Sequence, residues 1–373
     1  PLDGKGAWTP GQDKAGASPD LLAGLAGAFE KLRAKAEPLA RGQMPEAVRD
    51  LLGRLGSLDG LAGGLAKPFG QPVPQPLPPG ARFEERLYAD ANGERAYKVY
   101  VPSGYDGQPL PLVVMLHGCT QSPDDFAAGT QMNQLAEERN VLVAYPAQAQ
   151  SANAQKCWNW FNAADQKRGS GEPALIAGIT RQIMRDFAVD PARVYAAGLS
   201  AGGAAAAIMG ATYPDLYAAI GIHSGLACGA ARDMPSAFAA MRQGGAAAAP
   251  AGKGASGRRV RVIVFHGDQD KTVNPVNGDQ VMAQFKDSEA RAGDVMRGQS
   301  QGGLAYTRNV QADPDGTPVF EQWLIHGAAH AWSGGSSNGS YTEPRGPDAS
   351  REMLRFFLDH GHDKAPAAPA QGT

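Results

Sequence analysis

The chain has 373 residues, 43% of them hydrophobic, which allows one large domain plus an extension, or two domains. Acidic and basic residues nearly cancel to a formal charge of −2, so there is no electrostatic basis for binding nucleic acid. No apolar run approaches the length that spans a bilayer. No signal peptide is visible, but the chain starts at Pro1, so a removed leader stays open.

In chain order, residues 1–67 read as an N-terminal helical extension. Leu21, Leu22, Leu25, Phe29 and Leu32 fall at helical spacing, as do Val48, Leu51, Leu52 and Leu55. A proline-rich linker occupies 68–82, with Pro68, Pro72, Pro74, Pro76, Pro78 and Pro79. The catalytic part is expected over 83–362, followed by a short tail at 363–373. Within it, strands are expected at Arg95–Val101, Pro111–His117 and Val141–Tyr145. One helix is expected over Asp124–Arg139, capped by Ser122 or Asp124, and another over Glu172–Ala188. Arg193–Ala197 and Ala201–Tyr213 read as strand and helix. Ala218–His223, Val260–His266 and Val319–Ile325 read as strands, and Asp348–His360 as the closing helix. Ala230–Gly257, rich in Ala, Gly and Met, interrupts the rhythm as a cap or an insertion. Near-continuous apolar strands alternating with helices predict an α/β fold with a mostly parallel sheet covered on both faces.

The most informative stretch is Gly198-Leu199-Ser200-Ala201-Gly202-Gly203. An apolar strand runs into a tight turn and a helix start, the pattern of a nucleophile elbow. The bare Gly-x-Ser-x-Gly pattern is weak evidence in a chain with 48 glycines, and it recurs at Gly335–Gly339. That second match lies in a Gly/Ser loop without a strand before it, so Ser337 reads as loop and Ser200 as nucleophile.

A serine hydroxyl needs a base, and the base needs a carboxylate to hold its tautomer. On this architecture the chain order is Ser, acid, His. Val260–Phe265 leads into His266-Gly267-Asp268-Gln269-Asp270, and Asp270 is preferred over Asp268 because Lys271-Thr272-Val273 lets it turn beneath the loop. Asp268 is then left as a turn-maker. Among the histidines, His117, His223 and His266 precede the acid, and His360 and His362 lie too late. His326 ends a strand and reads as partly buried structure. His330, in a loop of small residues, is assigned as the base. The oxyanion hole is expected from the backbone N–H groups of Ala201 and Cys119, the latter in His117-Gly118-Cys119. Of the three cysteines, Cys157 and Cys228 could form one disulfide, or all three could be free thiols, and no spacing fits zinc.

These motifs resemble the polyhydroxybutyrate depolymerase family of α/β-hydrolases. The match rests on Leu116–Ser122, Cys157-Trp158-Asn159-Trp160-Phe161, Arg168–Pro173, Gly198–Gly203, His266–Asp270 and His330–Gly335. The resemblance implies an α/β-hydrolase fold and a carboxylic ester hydrolase with Ser200, Asp270 and His330 as triad, without metal or organic cofactor. It implies short-chain 3-hydroxyalkanoate polyesters or their oligomers as substrates. Feruloyl and acetyl-xylan esterases look similar at this level. Trp158, Trp160 and Trp332 are expected at the substrate, against the alternative of core packing. A secreted or extracellular location is expected, with a cytoplasmic one as the alternative. A peptidase of the prolyl-oligopeptidase kind and a binding protein on an inactive hydrolase scaffold are the rival readings.

Overall fold

Strands that are apolar at successive positions need cover on both faces, and the central strands here have it. The structure, a computed structural model, describes residues 76–246, 251, 259–286 and 290–359. The two expected N-terminal helices, the start of the linker, parts of the Ala/Gly-rich insertion and the tail with His360 and His362 lie outside the described residues.

In chain order the strands are β1 (Arg82–Asp90), β2 (Gly93–Val101), β3 (Leu110–Leu116), β4 (Leu142–Pro146) and β5 (Val189–Leu199). They continue with β6 (Ala219–His223), β7 (Arg261–Gly267), β8 (Arg291–Gln299), β9 (Ala305–Ala312) and β10 (Pro318–Ile325). All ten form one sheet in the order β1-β2-β4-β3-β5-β6-β7-β10-β9-β8. From β4 to β10 in that order the pairs are parallel. Antiparallel strands extend both edges. The fold is α/β-hydrolase-like, with β5 near the middle.

The helices are α1 (Pro123–Thr130), α2 (Met132–Arg139), α3 (Gly171–Asp186), α4 (Ala201–Thr212), α5 (Met234–Gln243), α6 (Val276–Phe285) and α7 (Ala349–Leu358). Alternation along β3 assigns the two faces. Leu112, Val114 and Leu116 pack with residues of α3, α4, α5 and α6. Val113 and Met115 pack with residues of α1, α2 and α7.

The sequence reading and the structure agree on one of the two expected caps, Ser122, and differ at a helix break, in the insertion and in the outer strands. The helix expected over Asp124–Arg139 is broken at Gln131, whose φ of 55° is left-handed. Ser122 caps α1, accepting the Asp125 N–H. The cap-like insertion contains α5, held at its start by a reciprocal Asp233–Ser236 capping box. The outer strands β1, β8 and β9 and helix α6 were not expected; outer strands with one wet face carry little apolar signal.

Glu321 on β10 is fully buried and accepts hydrogen bonds from Arg308 on β9 (2.8 Å) and Arg355 on α7 (2.8 Å). Burial raises its pKa, but the two guanidinium groups more than offset this and hold it below the ordinary glutamate value. The pair of arginines therefore ties the edge hairpin and the closing helix to one carboxylate. Glu321→Gln is expected to destabilise the fold by about 1.5–3 kcal/mol, the worth of hydrogen bonds to a charged group. Urea unfolding measures this, and an unchanged midpoint would contradict it.

Candidate active site

Strand β5 ends where the chain must turn sharply into α4. Ser200 sits at that corner with φ 58° and ψ −119°, a conformation that L-residues adopt only when the surroundings impose it. The surroundings are backbone. A Cβ on Gly202 would lie 1.9 Å from the Leu116 carbonyl oxygen, and one on Gly198 would lie 2.3 Å from the Gly202 carbonyl carbon. Glycine is required at both positions for α4 to approach β3 and β5. The Ser200 N–H donates to His223 O at 2.9 Å, which pins the elbow to the end of β6.

Residues 117–121 cross beside the elbow, directly after β3. His117 is buried, and its Nε2 accepts the Gln148 N–H at 3.0 Å. The ring proton is therefore on Nδ1, which donates to Gly118 O at 2.7 Å. Burial pushes the His117 pKa down to about 4, so the ring is neutral. The Gly118 N–H is taken by Gln121 Oε1 at 2.9 Å, and the Thr120 N–H by Gln155 O at 2.6 Å. Cys119 N–H lies between them and makes no hydrogen bond among the described residues. Ala201 N–H is the first amide of α4, one that a helix leaves without an internal partner.

Cys119 is covalently tied as well. Its sulfur is bonded to Cys157, and Cys228 is a free, half-buried thiol. This corrects the expected choice between a Cys157–Cys228 bridge and three free thiols. The cause is local: Trp158 Nε1 donates to His117 O at 3.1 Å, which lays the 157–158 segment along the loop at Cys119.

Asp270 follows β7 and is buried to its carboxylate. Its Oδ1 accepts the Thr272 and Val273 N–H groups, both at 2.9 Å. Its Oδ2 meets His330 Nδ1 at 2.7 Å, and His266 Nε2 lies 3.5 Å away. Burial raises the Asp270 pKa, but the His330 charge and the His266 and His330 hydrogen bonds outweigh it and hold the group well below the carboxylate range. Asp268 makes a second pair: its Oδ2 meets His326 Nδ1 at 3.0 Å and its Oδ1 accepts the Gly327 N–H at 2.8 Å. It is a clamp across two loops, not the turn-maker expected. It holds the start of the loop that carries His330.

Thus Asp270 and His330 are in direct contact, and Ser200 reaches the same rim through His223. While the His223 carbonyl holds Ser200, its Nε2 accepts the Ser333 N–H at 3.0 Å and its ring stacks on Trp332 at 5.3 Å. No hydrogen bond joins Ser200 to His330 among the described residues. Such contacts are often long before substrate arrives.

The three tryptophans are not where a substrate surface was expected. Trp158 and Trp332 are 0% and 1% exposed, and Trp160 is 7% exposed. Each indole N–H of the first two has an internal acceptor, His117 O for Trp158 and Ser350 Oγ for Trp332. All three are core and loop supports, because burying a ring this large outweighs leaving it wet. The supporting roles of His117, Gln121, His223 and His266 were not anticipated. The only signal was position: each histidine ends or directly follows a strand that points at the rim.

A family model described as Esterase PHB depolymerase matches residues 95–299. Poly(3-hydroxyalkanoate) depolymerase C of Paucimonas lemoignei is 34% identical over 62% of this chain and 57% of its own length. Feruloyl esterase B of Neurospora crassa is 28% identical over 69% of this chain and 86% of its own. Acetylxylan esterase A of Talaromyces purpureogenus is 30% identical over 50% of this chain and 52% of its own. The chain therefore spans little more than half the length of the depolymerase. Among solved structures, an acetyl xylan esterase from Aspergillus awamori shares the fold, with a TM-score of 0.58 and 21% identity, over 74% of this chain and 99% of that one.

Burial drives the His223 pKa down to about 3, with the neighbouring His266 and His330 adding to the shift. An unfolded histidine protonates near pH 6.5. Between those values the unfolded chain binds more protons, so His223 contributes stability that is lost as pH falls. His223→Gln should reduce the dependence of unfolding free energy on pH, between about 6.5 and 4.5, by about 1.4 kcal/mol per pH unit. Urea titrations at several pH values test this. Equal slopes in the two proteins would contradict it.

Proposed function

Because the chain belongs to the Esterase PHB depolymerase family, we propose that it hydrolyses carboxylic esters through Ser200, His330 and Asp270. The observation that carries this reading is the 2.7 Å contact between His330 Nδ1 and Asp270 Oδ2. Asp270 has no other freedom: two amides hold one oxygen, and burial keeps water away. It fixes the imidazole with Nε2 free to accept a proton.

Ser200 Oγ attacks the ester carbonyl carbon as its proton passes to His330 Nε2. The carbonyl oxygen becomes an oxyanion facing the Cys119 and Ala201 N–H groups. The tetrahedral intermediate collapses, and the alcohol leaves with the proton from His330. Water then attacks the acyl-enzyme by the same route in reverse and releases the acid. The chemistry asks for no metal or organic cofactor.

Short-chain 3-hydroxyalkanoate polyesters or their oligomers are the substrates we propose, supported by the likeness to the Paucimonas depolymerase. Feruloyl or acetylated xylan esters are the second reading, supported by the relatives with those names. The Cys119–Cys157 bond fits an oxidising compartment and supports secretion.

Ser200→Ala should abolish hydrolysis of a short p-nitrophenyl ester in a folded protein, and Asp270→Asn should lower kcat by about 10⁴ with KM little changed. Retained activity in Ser200→Ala would end the assignment. A soluble 3-hydroxybutyrate trimer should give a higher kcat/KM than feruloyl or acetyl-xylan esters, and the opposite order would overturn the substrate reading.

A further inference from the structure

Glu172 is a buried carboxylate outside the triad, hydrogen-bonded to segments that meet the loop at 117–120. Glu172 stands in the first turn of α3 and is 7% exposed. Its Oε2 accepts the Asn159 N–H at 2.7 Å. Its Oε1 accepts from Asn159 Nδ2 at 2.7 Å and from Gln148 Nε2. Asp165 Oδ1 accepts the Glu172 N–H at 2.8 Å, so the backbone beneath the carboxylate is also fixed. The buried Arg95 guanidinium supplies opposite charge to Glu172 and Asp165.

Neither Gln148 nor Asn159 belongs to α3. Both lie on segments that grip the loop at 117–120. The Gln148 N–H donates to His117 Nε2 at 3.0 Å, and Gln148 Nε2 also donates to Cys157 O at 2.8 Å. Asn159 closes the Cys157-Trp158 segment, which reaches the loop through the disulfide to Cys119 and through the Trp158 N–H on His117 O. The loop is therefore held from two sides, and both holds end on one carboxylate.

We propose that Glu172 is a positioning residue for ester hydrolysis: by joining Gln148 to Asn159 it fixes the Cys119 amide where the oxyanion forms. The inference rests on the reading of Cys119 N–H as an oxyanion donor. A carboxylate is needed because three N–H donors converge on its two oxygens. A glutamine of the same shape would turn its own NH₂ toward one of them and break one tether. Deleting one oxyanion donor elsewhere costs about 10²–10³ in kcat. Displacing one costs less, so about a tenfold loss is expected here.

The test compares wild type, Glu172→Gln and Glu172→Asp in two measurements: hydrolysis of a short p-nitrophenyl ester and inhibition by an alkyl trifluoromethyl ketone. Ser200 Oγ adds to the ketone carbon, its proton passes to His330, and the former carbonyl oxygen carries the charge into the same pair of amides. For Glu172→Gln, kcat/KM should fall about tenfold or more, mainly through kcat with KM within about twofold. KI for the ketone should rise by the same factor, and Glu172→Asp should recover part of both. A merely structural defect would lower the active fraction and hence kcat while leaving KI alone. An unchanged KI, with or without a loss of kcat, overturns the proposal. If Glu172→Gln does not fold, Asn159→Ser removes one arm of the tether. It should raise KI less, but in the same direction, and an unchanged KI again overturns the proposal. Peptide mass analysis after fluorophosphonate treatment of the wild type separates the two levels. Label on Ser200 with an unchanged KI refutes the role of Glu172 alone. Label confined to another residue removes the triad reading and this inference with it.

Discussion

Everything at the rim depends on one close approach, that of the α4 backbone at Gly202 to the Leu116 carbonyl at the end of β3. There is no room for a Cβ between them. The contact brings the end of β5 against the end of β3, so Ser200 and the loop at 117–121 become neighbours. At the corner Ser200 has a left-handed φ, and its hydroxyl makes no capping hydrogen bond to α4. The alanine-rich sequence of α4 serves the same end, because small side chains let a helix sit close to a sheet. A larger residue at 202 would push the helix away and separate Ser200 from the loop at 117–121.

Around that contact the buried histidines that brace the backbone stay neutral beside a buried anion. Asp270 is buried and ionised, held by two amides and two imidazoles. A buried anion is tolerable only with such partners. His117 and His223, also buried, stay neutral and act as hydrogen-bond braces with one nitrogen accepting a backbone N–H. A neutral imidazole is well suited to this: it bridges two backbone segments without adding a charge that would compete with His330 for Asp270. His266 donates to Val273 O at 2.8 Å, which closes the turn that presents Asp270. The site is thus assembled from strand ends, each braced by the residue type that ended the strand.

The central strands and the glycine-bounded turn at Ser200 were legible in the sequence. The apolar runs are long, and the elbow requires glycines at fixed places. Asp270 was preferred over Asp268 from the residues that follow it; in the structure each aspartate pairs with a histidine, Asp270 with His330 and Asp268 with His326. The outer strands were not legible, because β8 and β9 are polar and solvent-facing, and their pairing is decided by the sheet they join. The break at Gln131 was missed although the apolar residues change face there: on one continuous helix Phe126 and Ala127 would lie roughly opposite Met132, Leu135 and Ala136. The disulfide could not be read from spacing, since Cys119 and Cys157 meet only after Trp158 has anchored on the His117 carbonyl. The tryptophans misled for a simple reason: an aromatic two residues from a proposed base can pack beneath its loop as well as meet a substrate, and residue type does not separate the two.

The decisive measurement is a crystal structure of the protein phosphonylated at Ser200, because the phosphonyl oxygen stands where the oxyanion of the tetrahedral intermediate would be. The account predicts that oxygen at about 3 Å from both the Cys119 and Ala201 nitrogens, with His330 Nε2 turned toward Ser200 Oγ and Nδ1 still on Asp270. A phosphonyl oxygen facing solvent or bound by other donors, or His330 detached from Asp270, would contradict it.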